Sequence, residues 1–149
     1  MDLAEQGLLL EQQLCFDVYA ASRAINKAYR PLLEALSLTY PQYLVMLVLW
    51  EHEAQTVKQL GEQLQLDSGT LSPLLKRLES AGFLQRQRRA SDEREVEIQL
   101  TEAGRALRQQ ASNVPASIFQ AIGLSAAEYL QLKHLLRQVM TSVEANYPD

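Results

Sequence analysis

The chain reads as mainly α-helical with one small β-hairpin, about six helices in all. Three observations carry that reading. Apolar residues recur at three- and four-residue steps along most of the chain, the spacing of one helix face. The period falls to two only across residues 83–88 and 95–100, which marks a pair of strands. Capping boxes open three of the helices, with Thr39, Thr56 and Ser125 each followed three residues on by Gln or Glu.

The first helical segment covers residues 8–36. Leu14, Val18, Ser22, Ile25, Tyr29, Leu32 and Leu36 form its stripe, and Pro31 is expected to kink or break it. Residues 43–50 are apolar nearly all round, so the helix capped by Thr39 belongs in the core. A short helix from Thr56 to about Leu64 buries Val57, Leu60 and Leu64. After a brief connection, Asp67 or Ser68 caps a third helix that buries Leu71, Leu74, Leu75 and Leu78. Gly82 ends it, since glycine takes the left-handed conformation that closes helices. The two strands follow, with Val96, Ile98 and Leu100 on one face and a charged tip between them. Thr101 caps a helix that reaches about Ile122, with an interruption possible at Pro115. The last helix carries Tyr129, Leu132, Leu135, Leu136, Val139 and Val143 on its apolar stripe.

Two short helices, a tight connection and a charged hairpin make a winged helix-turn-helix order. In that arrangement the second helix enters the major groove and the hairpin reaches flanking backbone or minor groove. The residue types suit it. Ser68, Thr70 and Ser72 are small and polar, able to approach base edges, and Lys76 and Arg77 can pair with phosphates. The tip offers Arg88, Arg89 and Arg94, with Asp92 placed to hold an arginine. An arginine in a narrow minor groove reads shape. Net charge is −4, yet residues 76–94 hold six basic and three acidic side chains, so +3 there faces −7 elsewhere. A local basic patch on an acidic body still attracts phosphate, because screening leaves nearby charges in control. The same helix, helix, hairpin order is also a common packing unit, and an arginine-rich hairpin can be only a solvated turn.

Other classes find little support. No apolar run approaches the ~18 residues of a membrane span, and no signal-peptide pattern is seen. One cysteine, Cys15, cannot form an internal disulfide. These features point to the cytoplasm. His52 and His134 lack metal-ligand spacing with Cys15, so no metal or cofactor is implied. Taken alone, Cys15 reads as a small buried hydrophobe and the tyrosines as core packing.

The string Asp67-Ser68-Gly69-Thr70-Leu71-Ser72-Pro73-Leu74-Leu75-Lys76-Arg77-Leu78-Glu79-Ser80-Ala81-Gly82, followed by Ser91-Asp92-Glu93-Arg94, resembles the recognition helix and wing of MarR-family repressors. The likeness runs from residue 14 to about 147. Leu14-Cys15-Phe16, Tyr29-Arg30, and Leu38-Thr39-Tyr40-Pro41-Gln42-Tyr43 continuing to Trp50 resemble the organic hydroperoxide resistance regulators within that family. The resemblance implies a two-fold dimer on a double-stranded, pseudo-palindromic operator, joined through residues 1–38 and 101–149, with residues 39–100 as the DNA-binding lobe. It makes Cys15 the peroxide-sensing thiol, Tyr29 and Tyr40 its neighbours from the partner subunit, and Tyr19 and Phe16 the rest of the pocket. The thiolate is the form that attacks a peroxide, and phenol hydroxyls stabilise it by hydrogen bonding. Cys15 sits early in its predicted helix, toward the end of the range where the N-terminal dipole acts. Some relatives carry a second, resolving cysteine in the region of residues 117–124. This chain has none there, which implies the one-cysteine chemistry: sulfenic acid, then a mixed disulfide with a small cellular thiol. Three alternatives stay open: a repressor released by a small aromatic or phenolic ligand, a thiol peroxidase, and a dimeric protein-interaction module.

Overall fold

The computed structural model describes residues 7–92 and 94–148, and Glu93 of the expected hairpin tip lies outside them. Among the described residues, seven α-helices and three strands follow in order: α1 Leu14–Glu34, α2 Tyr40–His52, β1 Ala54–Thr56, α3 Val57–Leu64, α4 Ser68–Ser80, β2 Leu84–Arg88, β3 Val96–Leu100, α5 Glu102–Gln110, α6 Val114–Ile122 and α7 Ala126–Asn146. The expected count of about six helices holds when 102–122 is taken as one segment broken before Pro115. The chain forms two compact units, the first ending at Val114 and the second opening at Pro115. Both α1 and α5 pack with elements of residues 39–100 inside the first unit.

All three predicted capping boxes are present, at Thr39, Thr56 and Ser125. Each satisfies two backbone donors that a helix start otherwise leaves open. Asp67, not Ser68, caps α4, its carboxylate accepting the Thr70 N–H at 2.6 Å. Gly82 takes φ +83° after α4, and the Phe83 and Gly82 N–H groups close on Leu78 and Glu79 carbonyls in a Schellman turn. This turn aims the chain straight from α4 into β2.

Several expectations are corrected. The first helix starts at Leu14, not residue 8; a short 3₁₀ turn, Leu10–Gln12, precedes it, and Gln13 Nε2 donates to the Gly7 and Leu9 carbonyls. Pro31 neither breaks α1 nor ends it. It is exposed and one turn from the C-terminus, so losing one intrahelical bond stops nothing. Leu74, Val57 and Leu64 are half-buried, and the core of these helices rests on Leu60, Leu71, Leu75 and Leu78. The hairpin is part of a three-stranded antiparallel sheet, order β1-β3-β2. β1 pairs with β3 from Ala54 opposite Gln99 to Thr56 opposite Glu97.

The α2 helix is the hub of the first unit, packing on α1, α3, α4, α5, β1 and β3. Its Val45, Met46 and Leu49 are fully buried, although Leu47 is exposed. Trp50 donates from Nε1 to the Gly104 carbonyl at 2.8 Å, tying α2 to the start of α5. In the second unit Ser125 caps α7, and Phe119 meets Tyr129 edge-on with centroids 5.3 Å apart. The predicted α7 stripe at Leu132, Leu135, Leu136, Val139 and Val143 is exposed in the single chain. So is the front of α1, where Leu14 is 66% exposed and Phe16, Val18 and Tyr19 are also uncovered. Two helices that expose such stripes need a covering surface.

Candidate nucleic-acid interface and sensor thiol

The turn at Gly82 and the register of the hairpin place the expected DNA-contacting side chains. On α4, Ser68, Thr70, Ser72, Lys76 and Arg77 are all exposed, while Leu71, Leu75 and Leu78 anchor the opposite side. Bonds from Thr70 to the Asp67 carboxylate hold its pKa below the usual range, so it stays charged as a cap. On the hairpin, Leu84 faces Leu100, Arg86 faces Ile98 and Arg88 faces Val96. Directly opposite residues share a face, so two arginines continue the row that Leu84 begins in the core.

The arginines of this region fall into two groups. Arg89 is neutralised within the hairpin, its Nε on Glu97 and Nη1 on Glu95, both at 3.1 Å. The contacts to Glu97 and Glu95 keep its guanidinium charged and occupied, which sets it apart from the other arginines expected to contact DNA. Arg88, Arg94, Lys76 and Arg77 have no carboxylate partner among the described residues. Asp92 does hold Arg94, though through the backbone: its Oδ1 accepts the Arg94 N–H at 3.0 Å. Bonds from the Glu95 N–H to the Asp92 carbonyl and from the Arg89 N–H to the Glu95 carbonyl then close the tip. Asp92 therefore shapes the tip and does not orient a guanidinium.

Sequence reasoning missed two supports of this surface. Arg86 is clamped by Glu79 of α4. Behind the turn, Thr101 Oγ1 donates to the Gly82 carbonyl at 2.5 Å and Thr101 N–H to Phe83 at 3.1 Å. Gly104 lies so close to the Phe83 carbonyl oxygen that a β-carbon would collide with it. The start of α5 thus grips the joint between recognition helix and wing. The available signal was a Glu shortly before Gly82 and an Arg shortly after it, opposite charges flanking one turn.

The residues expected to form a sensor lie at separate places on the first unit. Cys15 is exposed and is the second residue of α1, inside its first turn. Tyr19 sits one turn on, with the Arg23 guanidinium 5.5 Å from its ring centre. Tyr29 and Tyr40 stack together at 4.8 Å, with Tyr43 5.8 Å from Tyr29. Burial, and then the neighbouring Tyr40, push the Tyr43 hydroxyl's pKa up. Fourteen residues of unbroken helix separate Cys15 from Tyr29, which is about 21 Å along the axis at 1.5 Å per residue. One chain therefore does not bring Cys15 to Tyr29. Among the described residues there is no group of histidine, cysteine and carboxylates that could hold a metal, and no helix long and apolar enough to cross a membrane.

A three-stranded wing, a capped recognition helix and an exposed basic face define a winged-helix DNA-binding regulator. A family model described as transcriptional regulator SarA/Rot matches residues 27–110. The organic hydroperoxide resistance transcriptional regulator of Bacillus subtilis (strain 168) is 52% identical over 135 residues, 91% of this chain and 90% of that one. Reduced AbfR bound to DNA, from Staphylococcus epidermidis, superposes with a TM-score of 0.77 at 36% identity, covering 90% of this chain and 94% of that one. A cysteine-to-serine variant of MarR from Escherichia coli complexed with operator DNA gives a TM-score of 0.75 at 27% identity, covering 82% and 89%. The chain belongs to the MarR/SarA-type winged-helix transcriptional regulators, in the branch of the organic hydroperoxide resistance regulators.

Proposed function

We propose that the protein is a dimeric repressor that binds its operator while Cys15 is reduced and releases it after an organic hydroperoxide oxidises that thiol. The observation that carries this reading is the place of Cys15: a solitary, exposed thiol in the first turn of a helix whose apolar front lacks a cover. The dimer forms through residues 1–38 and 101–149, and residues 39–100 supply the DNA-binding lobe. Because Tyr29 is too far from its own Cys15, the phenols come from the partner subunit. Two α1 helices crossing antiparallel near Ser22, midway between Cys15 and Tyr29, bring each thiol beside Tyr29 of the partner subunit. The small side chains Ala20, Ala21 and Ser22 suit a close crossing there. Tyr40 follows, since it is stacked on Tyr29, and Phe16 and Tyr19 wall the site.

The chemistry runs in two steps. The Cys15 thiolate attacks the peroxide O–O bond, taking one oxygen as sulfenic acid and releasing the alcohol after protonation. A small thiol then displaces water from the sulfenic acid and leaves a mixed disulfide. A second equivalent of thiol restores Cys15 by exchange. The adduct inserts a bulky group where two helices pack, at a cost of about 1–3 kcal/mol per site. If only the DNA-competent spacing bears that strain, a loss of about 3 kcal/mol lowers operator affinity more than a hundredfold. One oxidation of each protein is enough for the response, so its role is that of a stoichiometric switch, and it acts where its DNA is, in the cytoplasm. Lys76, Arg77, Arg88 and Arg94 contact phosphate or minor groove, and Ser68, Thr70 and Ser72 approach bases.

The test is fluorescence anisotropy on DNA from upstream of the protein's own gene, with one equivalent of an organic hydroperoxide and a small thiol. Wild type should release DNA and recover with excess reductant, and Cys15→Ser should bind and stay bound. Release of the serine variant by the same treatment sinks the redox reading. An open depression on the exposed face of α1, lined by Ala20, Arg23, Ala24, Asn26, Lys27 and Arg30, is the place for a second reading. There a small aromatic or phenolic ligand releases the operator and Cys15 is structural; release that ignores reductant and occurs in Cys15→Ser identifies it.

A further inference from the structure

We propose that Glu79 is a positioning residue for DNA recognition: it locks the wing to the recognition helix and keeps Arg86 away from phosphate, so that the pair governs how well the protein separates its operator from other DNA. The inference rests on the DNA-binding reading above and concerns residues to which that reading gives no part.

β2 is an edge strand, with β3 on one side only. An edge leaves backbone N–H groups without a neighbour. Glu79 fills that place at one position, its Oε2 accepting the Arg86 N–H at 3.0 Å. The same carboxylate takes a fork from the Arg86 guanidinium, Nε at 3.2–3.3 Å and Nη2 at 3.0 Å. A bidentate pair fixes orientation as well as distance. The chain between the two residues is the Schellman turn at Gly82, a short connection that pivots on one left-handed glycine. The clamp and the turn therefore join α4 to β2 at two points. Without the clamp, the α5 grip on Gly82 and Phe83 and the pairing of β3 with β1 still hold the base of the hairpin, and it is the part of β2 beyond Leu84, with the tip arginines, that gains freedom relative to α4.

The charge side is separate. Of the six cations in residues 76–94, Arg86 and Arg89 are neutralised by carboxylates. Phosphate contacts raise affinity for any sequence, whereas discrimination needs side chains held in register with the bases. Glu79 serves discrimination twice, by holding the wing's angle and by removing a sequence-blind cation.

The experiment compares operator duplex with a scrambled duplex of equal composition over a range of salt, for wild type, Glu79→Ala, Glu79→Gln and Glu79→Ala/Arg86→Ala. Glu79→Ala should lower the operator-to-scrambled affinity ratio about tenfold and raise scrambled-duplex affinity, with a salt slope steeper by up to about one unit for one freed cation. In the double variant the gain on scrambled DNA should vanish and the ratio stay low. A residue that merely stabilises the fold predicts weaker binding to both duplexes and no dependence of the gain on Arg86. An unchanged ratio in Glu79→Ala, or a gain that persists in the double variant, overturns the proposal. Should Glu79→Ala fail to fold, Glu79→Gln carries the same comparison, because it frees the Arg86 charge while still able to accept the backbone N–H: a raised scrambled affinity supports the proposal and an unchanged one refutes it. If wild type itself does not prefer the operator, the DNA reading fails, which is a different result.

Discussion

Replacing Gly104 by alanine puts a methyl group where the Phe83 carbonyl oxygen already sits, with Leu100 Cδ2 only 3.0 Å away. The obstruction is backbone, so it cannot rotate aside. Relief requires the first turn of α5 to retreat by about 1 Å to reach ordinary contact distance. That motion stretches the bond from Trp50 Nε1 to the Gly104 carbonyl, now 2.8 Å, beyond hydrogen-bonding range. Overpacking costs about 1–3 kcal/mol, and leaving the buried indole N–H unpaired costs about 1–3 kcal/mol more. Alanine's better helix propensity returns about 0.5–1 kcal/mol. The net expectation is a loss of about 1–5 kcal/mol with its centre near 3, a shift of roughly 1.5 M in the urea midpoint for a slope of about 2 kcal/mol per molar. Trp50 is the sole tryptophan, so its fluorescence reports the transition and the lost contact together. The titration is run at fixed protomer concentration, since association couples to unfolding. Gly69→Ala is the control, because a β-carbon there meets only the Asp67 carboxylate, at 3.4 Å. A Gly104→Ala midpoint equal to or above wild type refutes the close-approach argument, since that is the behaviour of an exposed helical glycine.

Three further outcomes follow from the same geometry. Arg94→Ala should weaken operator binding by about 1–3 kcal/mol, flatten the salt dependence and leave the dimer intact; unchanged affinity in a titration rules out a wing contact. Arg89→Ala should have a smaller effect on affinity, because Glu95 and Glu97 already hold that charge, and a loss as large as that of Arg94→Ala contradicts its neutralised state. Asp67, Glu79, Glu97 and Glu128 all have pKa values lowered in the fold by hydrogen bonds, chiefly from Thr70, Arg86, Gln99 and Ser125 respectively. A group with a lowered folded pKa stabilises fully above its unfolded value, roughly 4, and less as pH falls toward the folded one. Urea midpoints should therefore fall between about pH 5 and pH 3, and a flat or rising profile across that range would contradict the assignment.

Much of the fold is local in origin and was legible for that reason. Each capping box is a contact between residues three apart, so Thr39, Thr56 and Ser125 announce it within one turn of chain. Gly82 marks the end of α4 because few other residues tolerate its φ. The face of α4 that carries Ser68, Thr70, Ser72, Lys76 and Arg77 follows from the spacing of Leu71, Leu75 and Leu78. The leucine stripe overran at the N-terminus because Leu8 and Leu10 continue it in composition without any cap to start a helix there.

What the chain alone determined is thus the order of elements, their caps, and which side chains lie on the outward face of the recognition helix, since these depend on neighbours within a few residues. Only the tertiary structure decided the rest. β1 is three residues long, too short for a periodic signal, and exists because Ala54–Thr56 finds β3 more than forty residues away. Whether an arginine of the wing is free or spent depends on which carboxylate crosses from the neighbouring strand or helix, so Arg86, Arg89 and Arg94 read alike in sequence and differ in space. The separation of Cys15 from Tyr29 follows from α1 being one unbroken helix, a long-range consequence that the two residues, read in sequence, do not announce.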